Sequence, residues 1–372
     1  MYVPFLDLKR ETGRYHDEME QAVARVLAQG QFILGPELEA LEKEFAGYLG
    51  IPFAAGVASG TDALSLALES TGCIRPGTGD EVITSALSAA FTPLAIWRAG
   101  AVPRFVDVDP ATLQIDPAMI DLCINARTRA IIPVHLYGNP CAISEISEIA
   151  RKRNLAVIED ACQAHGSRWN GRTLGTFGCA AAFSFYPTKN LGACGDAGMV
   201  VTPDSDISAR IRKLRHGGQA RTYHHELLGC NSRLDEVQAA LLRLKLKRLE
   251  MQNEIRRRIA SRYDEALAGL DLVVLPVESG ALLNRHLYPV RTPEKEKLRG
   301  FLKEHGIETL VHYPIPLPAQ PALQSFVLPG QHFPQAEKAA RELLSLPLYP
   351  ELGDDELEYT MATLRRFFGA GR

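Results

Sequence analysis

Val157-Ile158-Glu159-Asp160-Ala161-Cys162-Gln163-Ala164-His165-Gly166 is a short apolar run that ends in two carboxylates and opens into small and polar residues. With the β-like run beginning at 155, it lies between a helix-patterned segment at 143–153 and another apolar run at 180–185, and reads as a buried strand. Further β-like runs at 81–84, 102–106, 129–134 and 199–202 alternate with helical patterns at 63–70 and 91–98. Strands alternating with helices predict an α/β fold with a mostly parallel central sheet. In such sheets ligands collect at the carboxyl ends of the strands, so Asp160 can face one. An Asp at this place can equally cap a helix or lie in a solvated loop.

Outward from this core, helical patterns precede it at 15–28 and 36–48. Beyond residue 205 the pattern becomes helical at 207–214 and again over a long, Leu-rich and basic stretch at 234–262. A smaller α+β region follows, with strand-like runs at 272–275 and 287–291 and helices at 294–305 and 354–368. The expected organisation is a large α/β domain over 1–250, with its helical N-terminal segment, and a smaller α+β domain over 251–372.

The 372 residues are 46% apolar, with 30 Gly and 23 Pro, proportions that exclude a collagen-like or largely disordered chain. Lys+Arg 41 against Asp+Glu 44 gives a net charge of −3, which argues against a dedicated nucleic-acid binder. The seven cysteines are at least 15 positions apart, so there is no CxxC pair for zinc or redox work, and no metal is expected. Charges at Asp7, Lys9 and Arg10 interrupt any signal-peptide core, and no apolar stretch approaches the ~18 residues of a membrane span. A cytoplasmic enzyme with neither membrane nor nucleic-acid partner is the expectation.

The next strand leads into Tyr186-Pro187-Thr188-Lys189-Asn190-Leu191-Gly192-Ala193-Cys194-Gly195-Asp196-Ala197-Gly198. A lysine in a tight loop beyond a buried strand is placed for Schiff-base chemistry, although a surface lysine in a Gly-rich turn is the default for this loop alone. Val57-Ala58-Ser59-Gly60-Thr61-Asp62 reads as a turn that opens a helix, an ordinary capped helix on its own and a phosphate site in company. A phosphate cradle, a strand-end acid and a lysine share one explanation in pyridoxal phosphate, which has a phosphate, a pyridine nitrogen and an aldehyde.

Taken together these segments resemble the DegT/DnrJ/EryC1/StrS family of pyridoxal-phosphate-dependent nucleotide-sugar aminotransferases. The resemblance covers nearly the whole chain. It begins at Pro4-Phe5-Leu6-Asp7-Leu8 and Ile33-Leu34-Gly35-Pro36-Glu37 and passes through Ser59-Gly60-Thr61-Asp62, Phe105-Val106-Asp107 and Pro133-Val134-His135. It continues over Asn231-Ser232-Arg233-Leu234-Asp235-Glu236 and closes at His312-Tyr313-Pro314 and Ser345-Leu346-Pro347. It implies an aspartate-aminotransferase-like fold (fold type I) and a homodimer with shared active sites. By the same resemblance Lys189 carries the Schiff base and Asp160 pairs with the pyridine nitrogen. Gln163 sits by the phenolic oxygen, and Gly60, Thr61 and Ser184 bind the phosphate, with Asn231 reaching the neighbouring subunit's cofactor. The family's ring-stacking aromatic aligns with Ala89 here, so Phe91 is the substitute considered.

The Lys189 loop, the 215–233 stretch and His312-Tyr313-Pro314-Ile315-Pro316-Leu317 are similar to members acting on 3-keto sugars, linked to UDP or dTDP, with glutamate as donor. C3 amination is therefore favoured, with a C4-specific enzyme as the alternative; Arg233, His312 and Tyr313 are the candidate substrate-binding residues. Residues 205–262 hold 14 Lys/Arg and 6 Asp/Glu. Most of this excess reads as solvated helix faces, a few arginines (Arg215, Arg221, Arg233) as partners of an anionic substrate. A DNA-binding regulator is the non-enzyme reading of the same stretch. A dehydratase of the family would carry histidine in place of Lys189.

Overall fold

A computed structural model of the protein describes residues 1–369. Its central sheet has seven strands in the order Phe53–Val57, Gly198–Thr202, Ala180–Ser184, Ala156–Asp160, Thr128–Ile132, Glu81–Ser85 and Val102–Val106. Only Gly198–Thr202 runs against its neighbours. Side chains along Ala180–Ser184 alternate between two cores, as a strand covered on both faces requires. Ala181 and Phe183 join Phe45, Phe185 and Leu242 on one side; Ala180 and Ala182 join Leu64, Leu68 and Ile96 on the other.

Two segments far apart in sequence meet at one helix end. Helix Pro36–Leu49 opens with Pro at its first turn and closes at Gly50, whose φ of 74° suits a residue without a Cβ. Its N-terminal amides are capped by a distant side chain: Glu236, fully buried, accepts from the N–H groups of Gly35 (2.8 Å), Glu37 (2.8 Å) and Leu38 (3.0 Å).

The stretch expected as one helix over 234–262 is two helices, Glu236–Leu246 and Leu249–Leu267. The break coincides with Arg248, whose guanidinium reaches Glu18 at 2.7 Å and lies 4.4 Å from the Tyr15 ring centre. No Gly or Pro marks it, so periodicity alone runs straight through. Strand Phe53–Val57 was also illegible, because Phe-Ala-Ala-Gly-Val has little β-propensity; its pairing with Gly198–Thr202 makes it a strand. Leu343–Leu346, where the sequence pattern shows no element, is held as a strand by Tyr288–Arg291, which also pairs with Val273–Val274.

Helix Leu249–Leu267 spans the expected boundary at 250 and carries Ile259, Ala260 and Tyr263 into the C-terminal core. That core also takes in Val3 from the start of the chain, whose N–H donates to Gly306 O at 2.9 Å. Among the described residues no helix is long and apolar enough to cross a membrane.

Candidate active site

Asp160 ends its strand 5% exposed. Its Oδ2 accepts a hydrogen bond from Thr92 Oγ1 at 2.7 Å and its Oδ1 one from the Cys162 N–H at 3.2 Å. These two donors fix the carboxylate and leave it further acceptor capacity. Glu159, one residue earlier, points to the other face, as successive strand residues must. Its carboxylate accepts from the N–H groups of Gly175 (2.8 Å), Phe177 (2.6 Å) and Gly178 (2.7 Å) and pairs with His135 Nε2 at 2.9 Å. Only one of the two adjacent acids is thus available for chemistry; the other holds a loop. Glu159→Ala strands those partners in the interior and is expected to destabilise the fold by on the order of 3–5 kcal/mol. Thermal denaturation checks this: an unshifted midpoint would contradict the structural role.

Lys189 follows strand Ala180–Ser184 in a tight turn, its N–H donating to Tyr186 O at 2.8 Å. The loop closes on itself at Gly192, where a Cβ would lie 2.4 Å from Pro187 O. The residue as a whole is half-buried, and desolvation of its amine pushes the pKa down, opposed by the nearby Cys162 and Asp160. Its neighbour Asn190 is buried and clamped from three directions. Asn190 Nδ2 donates to Asn253 Oδ1 (2.8 Å) and to Asn284 O (2.9 Å), and Asn190 Oδ1 meets His286 Nδ1 at 2.9 Å. Asn253 and Asn284 in turn donate to His165 O, at 2.9 and 3.2 Å. One neutral network therefore ties the Lys189 loop to the Asp160 loop and to the C-terminal region.

Gly60 and Thr61 open helix Gly60–Ser70, capped by Ser59, whose Oγ accepts from the Asp62 N–H at 3.1 Å. The first amides of a helix have no intrahelical acceptor and favour an anion. The strand register places Gly198 opposite both Val57 and Ser184, so Ser184 lies beside this helix start. Packing there leaves no room for a side chain: a Cβ on Gly60 would sit 2.6 Å from Ser184 Cβ, and one on Gly198 2.3 Å from Ser59 O.

Gln163 Oε1 accepts from the Tyr137 N–H at 2.7 Å, while its Nε2 donates to Tyr313 OH at 3.1 Å. Tyr313 is mostly buried, and burial pushes its phenol up to about 12. His312 Nδ1 meets Ser345 Oγ at 2.9 Å, with its pKa lowered to about 4 by burial and by the charge of Lys189. Gln163, His312 and Tyr313 thus join the Asp160–Lys189 cluster. Three other candidates have no side-chain hydrogen bond to that cluster among the described residues. Phe91 is 63% exposed at the start of the helix that supplies Thr92. Asn231 is exposed, next to Ser232, which binds the Ala58 N–H and Asp62. Arg233 is half-buried, 3.4 Å from His216 Nδ1.

Residues 14–365 match the DegT/DnrJ/EryC1/StrS aminotransferase family. The chain belongs to that family. A pleiotropic regulatory protein of Geobacillus stearothermophilus is 43% identical, covering 99% of both chains. The dTDP-3-amino-3,4,6-trideoxy-alpha-D-glucose transaminase of Streptomyces venezuelae is 45% identical over 94% of this chain and 92% of its own. The UDP-N-acetyl-3-dehydro-alpha-D-glucosamine 3-aminotransferase of Acidithiobacillus ferrooxidans is 41% identical over 98% and 97%. Among solved structures, S. venezuelae DesV in complex with a ketimine intermediate superposes with a TM-score of 0.95 at 43% identity, covering 98% of each chain.

An aminotransferase of this family has the aspartate-aminotransferase-like fold and depends on pyridoxal phosphate. The residues fit that group. The Gly60/Thr61 amides and Ser184 offer donors to a phosphate, buried Asp160 keeps acceptor capacity for a protonated ring nitrogen, and the Lys189 amine is desolvated for the aldehyde.

Two corrections concern charge. Arg215, considered as an anion contact, is buried and bound to Glu42 and to Gly56 O. Of the 14 cations in 205–262, eight lie within ion-pair distance of carboxylates, several of them on the N-terminal helices. The surplus visible in sequence is local in sequence only. Thr92 and Asn190 escaped the sequence reading because a lone Thr or Asn has no pattern; its proximity to Asp160 or to Lys189's neighbours comes from packing.

Proposed function

We propose that this enzyme moves an amino group from glutamate to C3 of a nucleotide-linked keto sugar, as a homodimer with shared sites. The observation that carries the amine chemistry is the buried, Thr92-anchored Asp160 beside the desolvated Lys189 amine. Support for C3 comes from the Lys189 loop and from relatives named for 3-amino and 3-dehydro sugars, one dTDP-linked and one UDP-linked. Bound at this site, pyridoxal phosphate supplies an electron sink that lets an amino group be exchanged for a keto oxygen. Lys189, once its amine is free, takes and returns the proton at the reacting carbon. Asp160 keeps a proton on the ring nitrogen, and Thr92 holds Asp160 in place. The test is a panel of UDP- and dTDP-linked 3-keto and 4-keto sugars with glutamate, followed by mass and NMR analysis of the product. Amination at C4 alone would replace the C3 assignment.

Shared sites are supported by large apolar side chains left exposed on elements that carry cofactor residues: Phe91, on the helix of Thr92, and Tyr186 (52%), in the Lys189 loop. Asn231 would then complete the partner's phosphate site. If so, Lys189→Ala and Asn231→Ala proteins, each impaired alone, regain activity when dissociated and mixed, because each heterodimer has one intact site. About a quarter of wild-type activity is expected from statistical pairing. No gain on mixing would place Asn231 in its own subunit's site or outside it.

A further inference from the structure

Tyr137 is a large, fully buried side chain on a backbone conformation that such residues rarely adopt. It is 1% exposed, with φ 64° and ψ 8°, in the turn Leu136–Gly138. A bulky residue at positive φ persists only where its surroundings over-determine it, and such positions cluster at functional sites. Here the turn is fixed on both sides. His135 before it is held by Glu159, and Gln114 Oε1 accepts from the Leu136 N–H at 3.1 Å. After it, Gly138 O accepts from Ser167 Oγ at 2.7 Å, and Gly138 packs so closely that a Cβ would collide with Asn284 Oδ1.

From this turn Tyr137 makes two contacts into the site, one by its backbone and one by its side chain. Its N–H donates to Gln163 Oε1 at 2.7 Å. A backbone N–H can only donate, so the oxygen of the Gln163 amide must face it and the NH2 must face away. That NH2 donates one proton to Tyr313 OH at 3.1 Å and has no acceptor for the other among the described residues. Gln163 is 5% exposed, so little solvent reaches that donor. The Tyr137 hydroxyl donates to His312 O, which receives no other hydrogen bond among the described residues. Burial pushes the Tyr137 phenol well above its ordinary value, so it stays a donor at neutral pH.

We propose that Tyr137 is a positioning residue of the active site: its backbone N–H fixes the direction of the Gln163 amide, and its hydroxyl fixes the His312–Tyr313 segment. The unpaired Gln163 N–H is then the donor for the cofactor's phenolic oxygen, the neighbour that the family resemblance gives to Gln163. This deepens the function proposed above and rests on its pyridoxal-phosphate chemistry, with His312 and Tyr313 on the keto-sugar side. A donor at that oxygen favours its anionic form, whereas an amide turned the other way would repel it. Tyr313 cannot set the direction, because a hydroxyl serves an NH2 or an amide oxygen equally well. Tyr137 acts only through the residues it holds.

Absorbance of the bound cofactor, followed against pH in the holoenzyme, reads the first half without any substrate. Gln163→Ala removes the donor, disfavours the anionic oxygen and should raise the midpoint of the transition by about one unit. Tyr313→Phe removes the other partner of the amide yet should leave the midpoint at its wild-type place, since the Tyr137 N–H remains. A Tyr313→Phe shift as large as that of Gln163→Ala, or no rise in Gln163→Ala, would overturn the assignment. The second half is read in half-reactions followed by absorbance. Tyr137→Phe keeps the N–H and loses the hydroxyl, so the cofactor midpoint should not move. The apparent Kd for the keto sugar that the panel identifies should rise about tenfold, while the glutamate half changes less than about twofold. Equal losses in both halves would make Tyr137 a residue of the fold alone. The Tyr313→Phe titration decides the matter if Tyr137→Phe fails to fold. An unmoved Tyr313→Phe midpoint in an enzyme that aminates no keto sugar would sustain the Gln163 orientation and remove the sugar from the proposed function instead.

Discussion

Lys189→Ala is expected to lower transamination by at least about 10³-fold while leaving a folded protein that still takes up cofactor noncovalently. The size follows from two roles that no neighbour can assume. The amine is the nucleophile toward the cofactor's aldehyde and, when released, the base at the reacting carbon. The other bases around it are unsuited: His312 and His165 are held largely neutral by burial, yet His312 is bound to Ser345 and His165 is enclosed in the core. The loop itself should survive the change, because Asn190 and Gly192 fix it and the Lys189 side chain does not. Borohydride treatment of the wild type should attach the cofactor to the peptide containing Lys189, and in the variant to none. Undiminished turnover in Lys189→Ala would remove the lysine from the chemistry.

Asp160→Asn carries the second large expected loss, about 10²–10³-fold in kcat/KM. The amide preserves the shape: its oxygen can still accept from the Cys162 N–H, and its NH2 can donate to Thr92 Oγ1, whose hydroxyl is able to accept instead. What disappears is the negative charge that favours a proton on the ring nitrogen, so the effect is electrostatic rather than structural. Kinetics and melting should therefore separate: turnover falls while the thermal midpoint stays close to wild type. Glu159→Ala is expected to do the reverse, losing stability first. If the two variants exchanged these signatures, the division of labour between the adjacent carboxylates would be wrong.

How legible was this in the sequence? The parallel α/β core was, since the strand at 102–106 and the helices at 91–98 and 143–153 match their observed bounds. Apolar runs of that length between helical patterns have few alternatives. The ends of the chain were harder. Strand Phe53–Val57 and the strand Leu343–Leu346 depend on partners more than 50 residues away, and local propensity points elsewhere. The turn at Arg248 has no sequence signature; its side chain meets Glu18, in a helix more than two hundred residues earlier, and Tyr15, which precedes that helix.

By itself the sequence determined the alternation of strands and helices and the order of Ser59-Gly60-Thr61, Asp160 and Lys189 along it. Those depend on periodicity and on residue types in a fixed succession, which a linear reading contains. Only the tertiary structure decided which of Glu159 and Asp160 is free, that Glu236 caps a helix two hundred residues earlier, and that eight of the cations in 205–262 are paired. Each of these is a question of which groups share a buried space. Burial makes an unpaired charge or amide expensive, so the fold's long-range pairings, and not the local residue pattern, assign the partners.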